Sequence, residues 1–326
     1  MKTRRPISRL MACALLAAAT SGSVTLVRAQ AKFPERSIKI VVPAGAGSAP
    51  DFIARQVGER LSQQLGQPVM VENKVGASGM IAYELVAKSN PDGYTLGMVQ
   101  AGVVTNRFIF KNVRYDEFRD YVPVAMVARS PMVLVSRSDS AASNFAELRQ
   151  LTKSQPKSLT YAAVNGANFL NSELVKKQLD LDLRSIQYKD TPQAMSDLLA
   201  GHVDMHLAAY TGALPLLKSG KLRMYVTLGR QRIAAFPDVP SSNELGMTGD
   251  VQTWAGVVAP AGTPSNIVAL LRREIDKIVA EPGMRDKLAQ AGYEPYTLAA
   301  EDFTSMMRRE VGTYRKVAAE VGMRPE

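Results

Sequence analysis

The sequence predicts an α/β protein of two lobes, each a mostly parallel sheet flanked by helices, with a cleft between them. Three observations predict it. Short strands rich in Val and Ile alternate with amphipathic helical stretches. The alternation runs to about residue 130 and restarts after Pro131, and no long flexible linker separates the two halves.

The elements follow in chain order. Ser37 to Pro43 reads as a buried strand, the Gly/Ala-rich stretch to Pro50 as a loop, and Asp51 to Leu65 as a helix with Phe52, Ile53, Val57, Leu61 and Leu65 on its apolar face. Val69 to Glu72 is a second strand, Gly79 to Lys88 a helix and Thr95 to Val99 a third strand. After Pro131 come strands at Met132–Ser136, Leu159–Ala163, Arg184–Tyr188, Val203–Ala208 and Arg223–Leu228. The helices between them are read near Asn144–Lys153, Asn168–Leu179, Pro192–Ala200 and Thr211–Lys218. The chain ends in three helices, Ile267–Ala280, Pro282–Ala291 and Ala300–Val321, separated by Pro and Gly breakers.

The first residues carry Lys2, Arg4, Arg5 and Arg9, followed by an uncharged stretch from Leu10 to Val27 and small residues around Ala29. That order is a secretory signal peptide, here residues 1–29, and it implies export to the periplasm. Gly22, the Ser and Thr residues and Arg28 interrupt the apolar run too early for a membrane anchor. Arg4-Arg5 leaves the general and twin-arginine export routes both open. Almost no apolar stretch precedes Cys13, which argues against lipoprotein processing. Cys13 is the only cysteine, so a chain cut near Ala29 has no disulfide, thiolate metal ligand or cysteine nucleophile.

Residues 1–29 hold five positive charges and no negative ones, so removing them takes the net charge from +10 to +5. The remaining basic residues are scattered among acids, without a basic stripe or interleaved aromatics. This suits anion steering and excludes a nucleic-acid footprint. The roughly 300 residues that remain are enough for two buried cores.

The loop Pro43-Ala44-Gly45-Ala46-Gly47-Ser48-Ala49-Pro50-Asp51 joins a strand's carboxyl end to a helix N-terminus. Free backbone N–H groups and the positive end of the helix dipole meet there, and small side chains let an anion approach. The same residues could equally form a tight turn capped by Asp51. A dinucleotide-binding turn would need a third glycine where Pro50 stands, although Gly45, Gly47 and Glu72 partly imitate one. No Gly-x-x-x-x-Gly-Lys, His-Glu-x-x-His or Gly-x-Ser-x-Gly pattern occurs. His202 and His206 are placed on a strand, some way apart, where they would not share a metal. No enzyme, cofactor or metal site is expected, and Ser78 reads as a loop or cap residue. Asn165-Gly166-Ala167-Asn168 repeats the small, polar, helix-starting character of the first loop. Tyr188 and Tyr210, at strand ends, could offer hydroxyls to a ligand.

Phe33-Pro34, Ile38 to Pro43, Asp51-x-x-Ala54-Arg55, Leu65 to Asn73 and Pro91 to Leu96 form one series of motifs. Leu198-Leu199-Ala200-Gly201-x-Val203-Asp204, Gly220 to Arg223, Pro237 to Pro240 and Trp254-x-Gly256-x-x-Ala259 to Pro264 form a second. Together they resemble the Bug family, the extracytoplasmic solute receptors of tripartite tricarboxylate transporters, over nearly the whole chain after the signal peptide. The resemblance implies a periplasmic-binding-protein (flytrap) fold, with residues 30–129 and 257–326 in one lobe and 130–256 in the other. It implies a monomeric, non-enzymatic protein that captures a small carboxylate and delivers it to integral membrane transporter subunits; a ligand-sensing adaptor for a membrane sensor is the alternative. It also implies that Ala44, Gly45, Ala46, Gly47, Ser48 and Asp51 form one clamp and the loop Ala163 to Asn168, with Asn165 and Ala167, the other. Gln100, Tyr188 and Asp204 complete the candidate ligand-binding residues. Four departures from the family bear on the ligand: Gly47-Ser48 replaces paired glycines, the second clamp loop is about two residues shorter and lacks its usual Gly/Ser/His character, Asp190 replaces a common glycine, and Ala208 stands where many relatives carry an aspartate. The last disfavours an amino-acid ligand and favours an organic acid without an ammonium group.

Overall fold

The computed structural model describes residues 33–164, 167–249 and 251–325. The fold is that of residues 36–326, which cluster as one compact unit; the signal-peptide expectation lies outside the described residues.

The first half builds as expected. β1 (Ile38–Val42), α1 (Ala49–Leu65), β2 (Val69–Asn73), α2 (Met80–Ala87) and β3 (Thr95–Val99) alternate, and β1 lies between β2 and β3 in parallel register. An eight-residue helix, α3 (Gly102–Ile109), follows β3 and was not read from the sequence. Helix ends obey local chemistry: α1 starts with Pro50 in its first turn and stops at Gly66, whose φ of 68° is left-handed.

The larger departure is β4 (Tyr121–Arg137), a strand of 17 residues whose carboxyl-terminal part alone was expected. Next come α4 (Phe145–Ser154), β5 (Thr160–Val164), α5 (Ala167–Gln178), β6 (Arg184–Tyr188), α6 (Thr191–Ala200), β7 (Met205–Ala209), α7 (Tyr210–Lys218) and β8 (Leu222–Thr227). The strand β9 (Gln252–Pro260) was also missed; α8 (Ser265–Ala280), α9 (Pro282–Gln290), the short β10 (Glu294–Pro295) and α10 (Ala300–Glu320) close the chain. Asn144 caps α4 by accepting the Glu147 amide at 3.0 Å, and Glu147 answers by accepting the Ser143 amide at 2.8 Å. Asp190 caps α6 by accepting the Gln193 amide at 2.9 Å.

The sheet order is β2-β1-β3-β9-β4-β7-β5-β6, with β8 and β10 also paired to β4. Parallel pairings occupy the two ends, and antiparallel pairings through β9 and β4 join them. β4 pairs with β9 from Tyr121 to Pro131 and with β7 from Met132 onward, so one strand serves both halves. One core surrounds Val41, Tyr83, Met126, Trp254 and Phe303. Two more lie on opposite faces of the second half, one holding Met132 and Leu134, the other Val133 and Val135. This two-sided burial follows from the period of two along a strand covered by helices on both faces.

Candidate functional site

Strand direction brings the loops together. Val99, the last residue of β3, pairs with Gly256 of β9, which pairs with Met126 of β4, whereas Ala209, the last residue of β7, pairs with Met132. Two antiparallel steps make β3 run with β4, and one makes β7 run against it. The carboxyl ends of β1 and β3 therefore point toward those of β5 and β7. Met126 and Met132 are six residues apart on β4, roughly 20 Å at 3.3 Å per residue. The loops after β1 and β3 and those after β5 and β7 face each other over Val127 to Pro131.

The loop after β1 is held from below by Asp51, which is 2% exposed. Its Oδ2 accepts the Gly47 amide at 2.8 Å and Arg55 Nε at 2.9 Å, and its Oδ1 accepts Asn73 Nδ2 at 2.9 Å. Asn73 Nδ2 also donates to the Ala44 carbonyl at 2.8 Å, tying the loop's start to β2. Burial alone would raise the Asp51 pKa, but the hydrogen bonds from Arg55, Gly47 and Asn73 outweigh it and leave the carboxyl below its ordinary value. Asp51 is thus a buried brace for the loop, with its carboxylate already engaged. At the start of α1 the backbone amides of Ala49 and Asp51 have no intrahelical acceptor and Pro50 has no N–H, an arrangement that suits an anion. Gly47 supplies a left-handed φ of 78°, and open space surrounds the position of its absent side chain. Ser48 does not cap α1, and its hydroxyl is shielded from solvent without a partner.

The other candidates divide. Gln100 follows β3 directly: its carbonyl accepts the Val103 amide at 2.9 Å, and its backbone N–H bonds the buried Tyr83 hydroxyl. Ala167 begins α5, and Asn168 Nδ2 donates to the Leu207 carbonyl at 3.0 Å, which ties α5 to β7. Asn165 lies outside the described residues.

Three of the candidates have side chains engaged within the protein. The Ala163 side chain is 0% exposed within β5 and belongs to the core. Tyr188 points its hydroxyl at α6, donating to Asp197 Oδ2 at 3.0 Å. Asp204 precedes β7 and accepts the Thr160 amide at 2.7 Å and the Thr160 hydroxyl at 2.6 Å, at the amino end of the strands and away from the facing loops. A cavity of about 490 Å³ lined by Arg137, Ser138, Asp139, Leu199, Gly220 and Lys221 lies at that same far end.

His206 is 0% exposed on β7, whereas His202 stands in a turn with its side chain 71% exposed, 3.6 Å from Asp197. Only His206 is on a strand, which corrects the placement of the pair. Among the described residues no three His, Cys, Asp or Glu side chains gather as a metal site, and no helix is long and apolar enough to cross a membrane. Sequence reasoning missed α3, whose start follows β3. Gly102 following Val99-Gln100-Ala101 was the available signal.

A family model described as the tripartite tricarboxylate transporter family receptor matches residues 53–323. The chain belongs to this receptor family. Among solved structures similar to this chain, an adipate-bound protein of R. palustris is 30% identical, covers 90% of this chain and all of its own, and superposes with a TM-score of 0.78. The periplasmic binding protein BugD is 30% identical over 90% of this chain and all of its own, with a TM-score of 0.74. The malate-bound MatC of Rhodopseudomonas palustris is 28% identical over 88% of this chain and all of its own, with a TM-score of 0.72. These relatives bear out both the Bug resemblance and the periplasmic-binding-protein fold. The family is one of periplasmic solute receptors, not of enzymes.

Proposed function

We propose that this receptor-family chain captures a small organic carboxylate between the loops after β1 and β3 and those after β5 and β7, and presents it to integral membrane transporter subunits. The observation that carries the reading is the facing arrangement of strand-to-helix loops, one of which has unpaired helix-start amides braced by Asp51. The ligand carboxylate seats on these amides, and closure shifts the population toward a form that membrane partners recognise. In this reading residues 30–129 and 257–326 form one lobe, residues 130–256 the other, β4 and β9 cross between them, and residues 1–29 direct export to the periplasm. The adipate and malate held by the two relatives support a carboxylate. The absence of an acid at Ala208, which is buried in β7, argues against a ligand ammonium group.

A thermal-shift screen against mono-, di- and tricarboxylates, aromatic acids and amino acids, with mass spectrometry of each mixture, tests this. A ligand at a hundredfold excess over its Kd adds about 2.7 kcal/mol. A raised Tm with unchanged ligand mass is expected. Consumption of the ligand would overturn the reading in favour of an enzyme, and stabilisation by amino acids alone would overturn the ligand class. Loss of carboxylate uptake on deletion supports a transport receptor, whereas intact uptake with ligand-dependent docking to a membrane sensor supports an adaptor.

A further inference from the structure

Helix α10 packs on both halves of the molecule. Its residues Phe303, Met307 and Val311 lie in the first core, with Trp254. Further along, Tyr314, Val317 and Ala318 form a separate buried cluster with Leu170 of α5, against which Phe108, Phe169 and Leu174 pack. The spacing is helical on each side: positions 314, 317 and 318 of α10 meet 170, 174 and, at the rim, 177 of α5. At that rim Lys177 Nζ pairs with Glu320 Oε1 at 2.8 Å. Within the contact the Tyr314 hydroxyl is hydrogen-bonded to the Asn171 side chain, and the two residues are only 6% and 7% exposed. β4 joins the halves through the sheet. The α5–α10 contact joins them a second time, outside it.

This second joint bears on the first turn of α5, which carries the candidate residues Ala167 and Asn168. From the second half, Asn168 Nδ2 donates to the Leu207 carbonyl at 3.0 Å. The Ser172 hydroxyl accepts the Tyr161 hydroxyl at 2.8 Å and donates to the Asn168 carbonyl at 2.7 Å. From the first half, α10 holds the same turn through Leu170 and Asn171. A strand crossing alone leaves two halves free to rotate about it. A packed helix pair removes part of that freedom, and a buried hydrogen bond within it favours a single register.

We propose that Asn171 and Tyr314 are positioning residues for the ligand site that act through α5: they fix its first turn opposite the α1 amides, and neither touches the bound acid. The inference rests on the carboxylate reading above and adds to it a remote contact that sets the affinity. Apparent affinity falls with the fraction of molecules in the binding-competent arrangement. A weakened joint lowers that fraction alone, so every acid loses affinity by the same factor. A residue that touches the ligand discriminates among acids instead.

Calorimetric binding of adipate and malate to the wild type, Tyr314→Phe, Glu320→Lys and the swapped Lys177→Glu, Glu320→Lys pair tests it. Tyr314→Phe keeps the ring and removes one net hydrogen bond, so both acids should weaken by the same factor, about three- to tenfold. Glu320→Lys should weaken both by about two- to threefold, the scale of a half-exposed ion pair, and the swap should restore wild-type affinity. The chain after residue 29 has no cysteine, so spin labels at Glu59→Cys on α1 and Ser196→Cys on α6, both exposed, measure the separation of the halves. Without ligand, Tyr314→Phe should broaden that distance distribution, and saturating acid should restore it. If Tyr314→Phe lowers Tm but binds both acids as the wild type does, with an unchanged distribution, the inference falls and the proposed function stands. Unequal losses for the two acids would place these residues in contact with the ligand and overturn the positioning role. Wild-type protein that binds no acid of the thermal-shift panel overturns the proposed function, and this inference with it.

Discussion

The indole Nε1 of Trp254 donates to Oε1 of Glu310 at 2.9 Å, while Oε2 of the same carboxyl is closed off from solvent and has no partner. Burial is the main cause that raises the Glu310 pKa to about 8; the Trp254 bond and Arg309 oppose it. The ordinary value is 4.5, so between there and about 8 the folded state holds a proton that the unfolded state has lost. The stabilising contribution is complete below the unfolded pKa and is lost as pH rises through this window. Urea midpoints at pH 5, 7 and 9, followed by the emission of Trp254, the sole tryptophan, should fall in that order. Glu310→Gln keeps an acceptor for the indole and carries no charge, so its midpoint should change less with pH. An equal slope in the variant would assign the pH dependence to other groups.

Asp51 braces a loop whose proposed ligand is itself an anion, so two effects of its removal oppose each other. Losing a negative charge favours an anion, but Arg55 already pairs with that charge at 2.9 Å. Losing the brace leaves the Gly47 amide without its acceptor and removes one of the two acceptors of Asn73 Nδ2. The structural loss should win. Asp51→Ala is expected to destabilise the protein by about 2–3 kcal/mol and to weaken carboxylate binding, with Asp51→Asn milder in both. Denaturant unfolding and calorimetry measure the pair, and unchanged affinity in a folded Asp51→Ala protein would contradict the bracing role.

Gly47 separates backbone strain from ligand chemistry. Its φ is 78° with nothing within 4 Å of an added Cβ, so Gly47→Ala meets no clash and should cost only about 1 kcal/mol of conformational strain. Carboxylate binding should survive. Gly47→Asp adds the same strain and places a negative charge beside the α1 amides, so binding should be lost while the fold persists. Circular dichroism with a thermal-shift titration checks both, and equal affinity in the two variants would remove the anion from this loop.

The elements bounded by Gly, Pro or capping residues were legible in the sequence: β6 matches its expected span, and α4 begins beside its Asn144 cap. The joint between the halves was not. In β4 the alternation is broken by register shifts near Pro123 and between Met126 and Ala128. A bulge turns the next side chain to the other face and erases the period-two signal. The β1 loop could be read because a Gly/Ala run between strand and helix has few other uses. Asp204 stands at the amino end of β7 because which end of a strand meets the facing loops depends on pairing, which a single strand's sequence does not carry.

Asp204 gives the sharpest contrast between a structural acid and a ligand-site acid. Its Oδ2 accepts both the amide and the hydroxyl of Thr160, and the Thr160 hydroxyl in turn accepts the Asp204 amide at 3.0 Å. This reciprocal pair joins the amino ends of β5 and β7, whereas the facing loops lie at their carboxyl ends. Thr160 is only 8% exposed, so water replaces the lost acceptor poorly, and Asp204→Ala should cost about 1–2 kcal/mol. Carboxylate affinity, measured well below the lowered Tm, should match the wild type. A Thr160→Val, Asp204→Ala double variant should lose less than the sum of the two single losses, because both remove the same pair. A selective fall in affinity with no loss of stability would restore Asp204 to the ligand site.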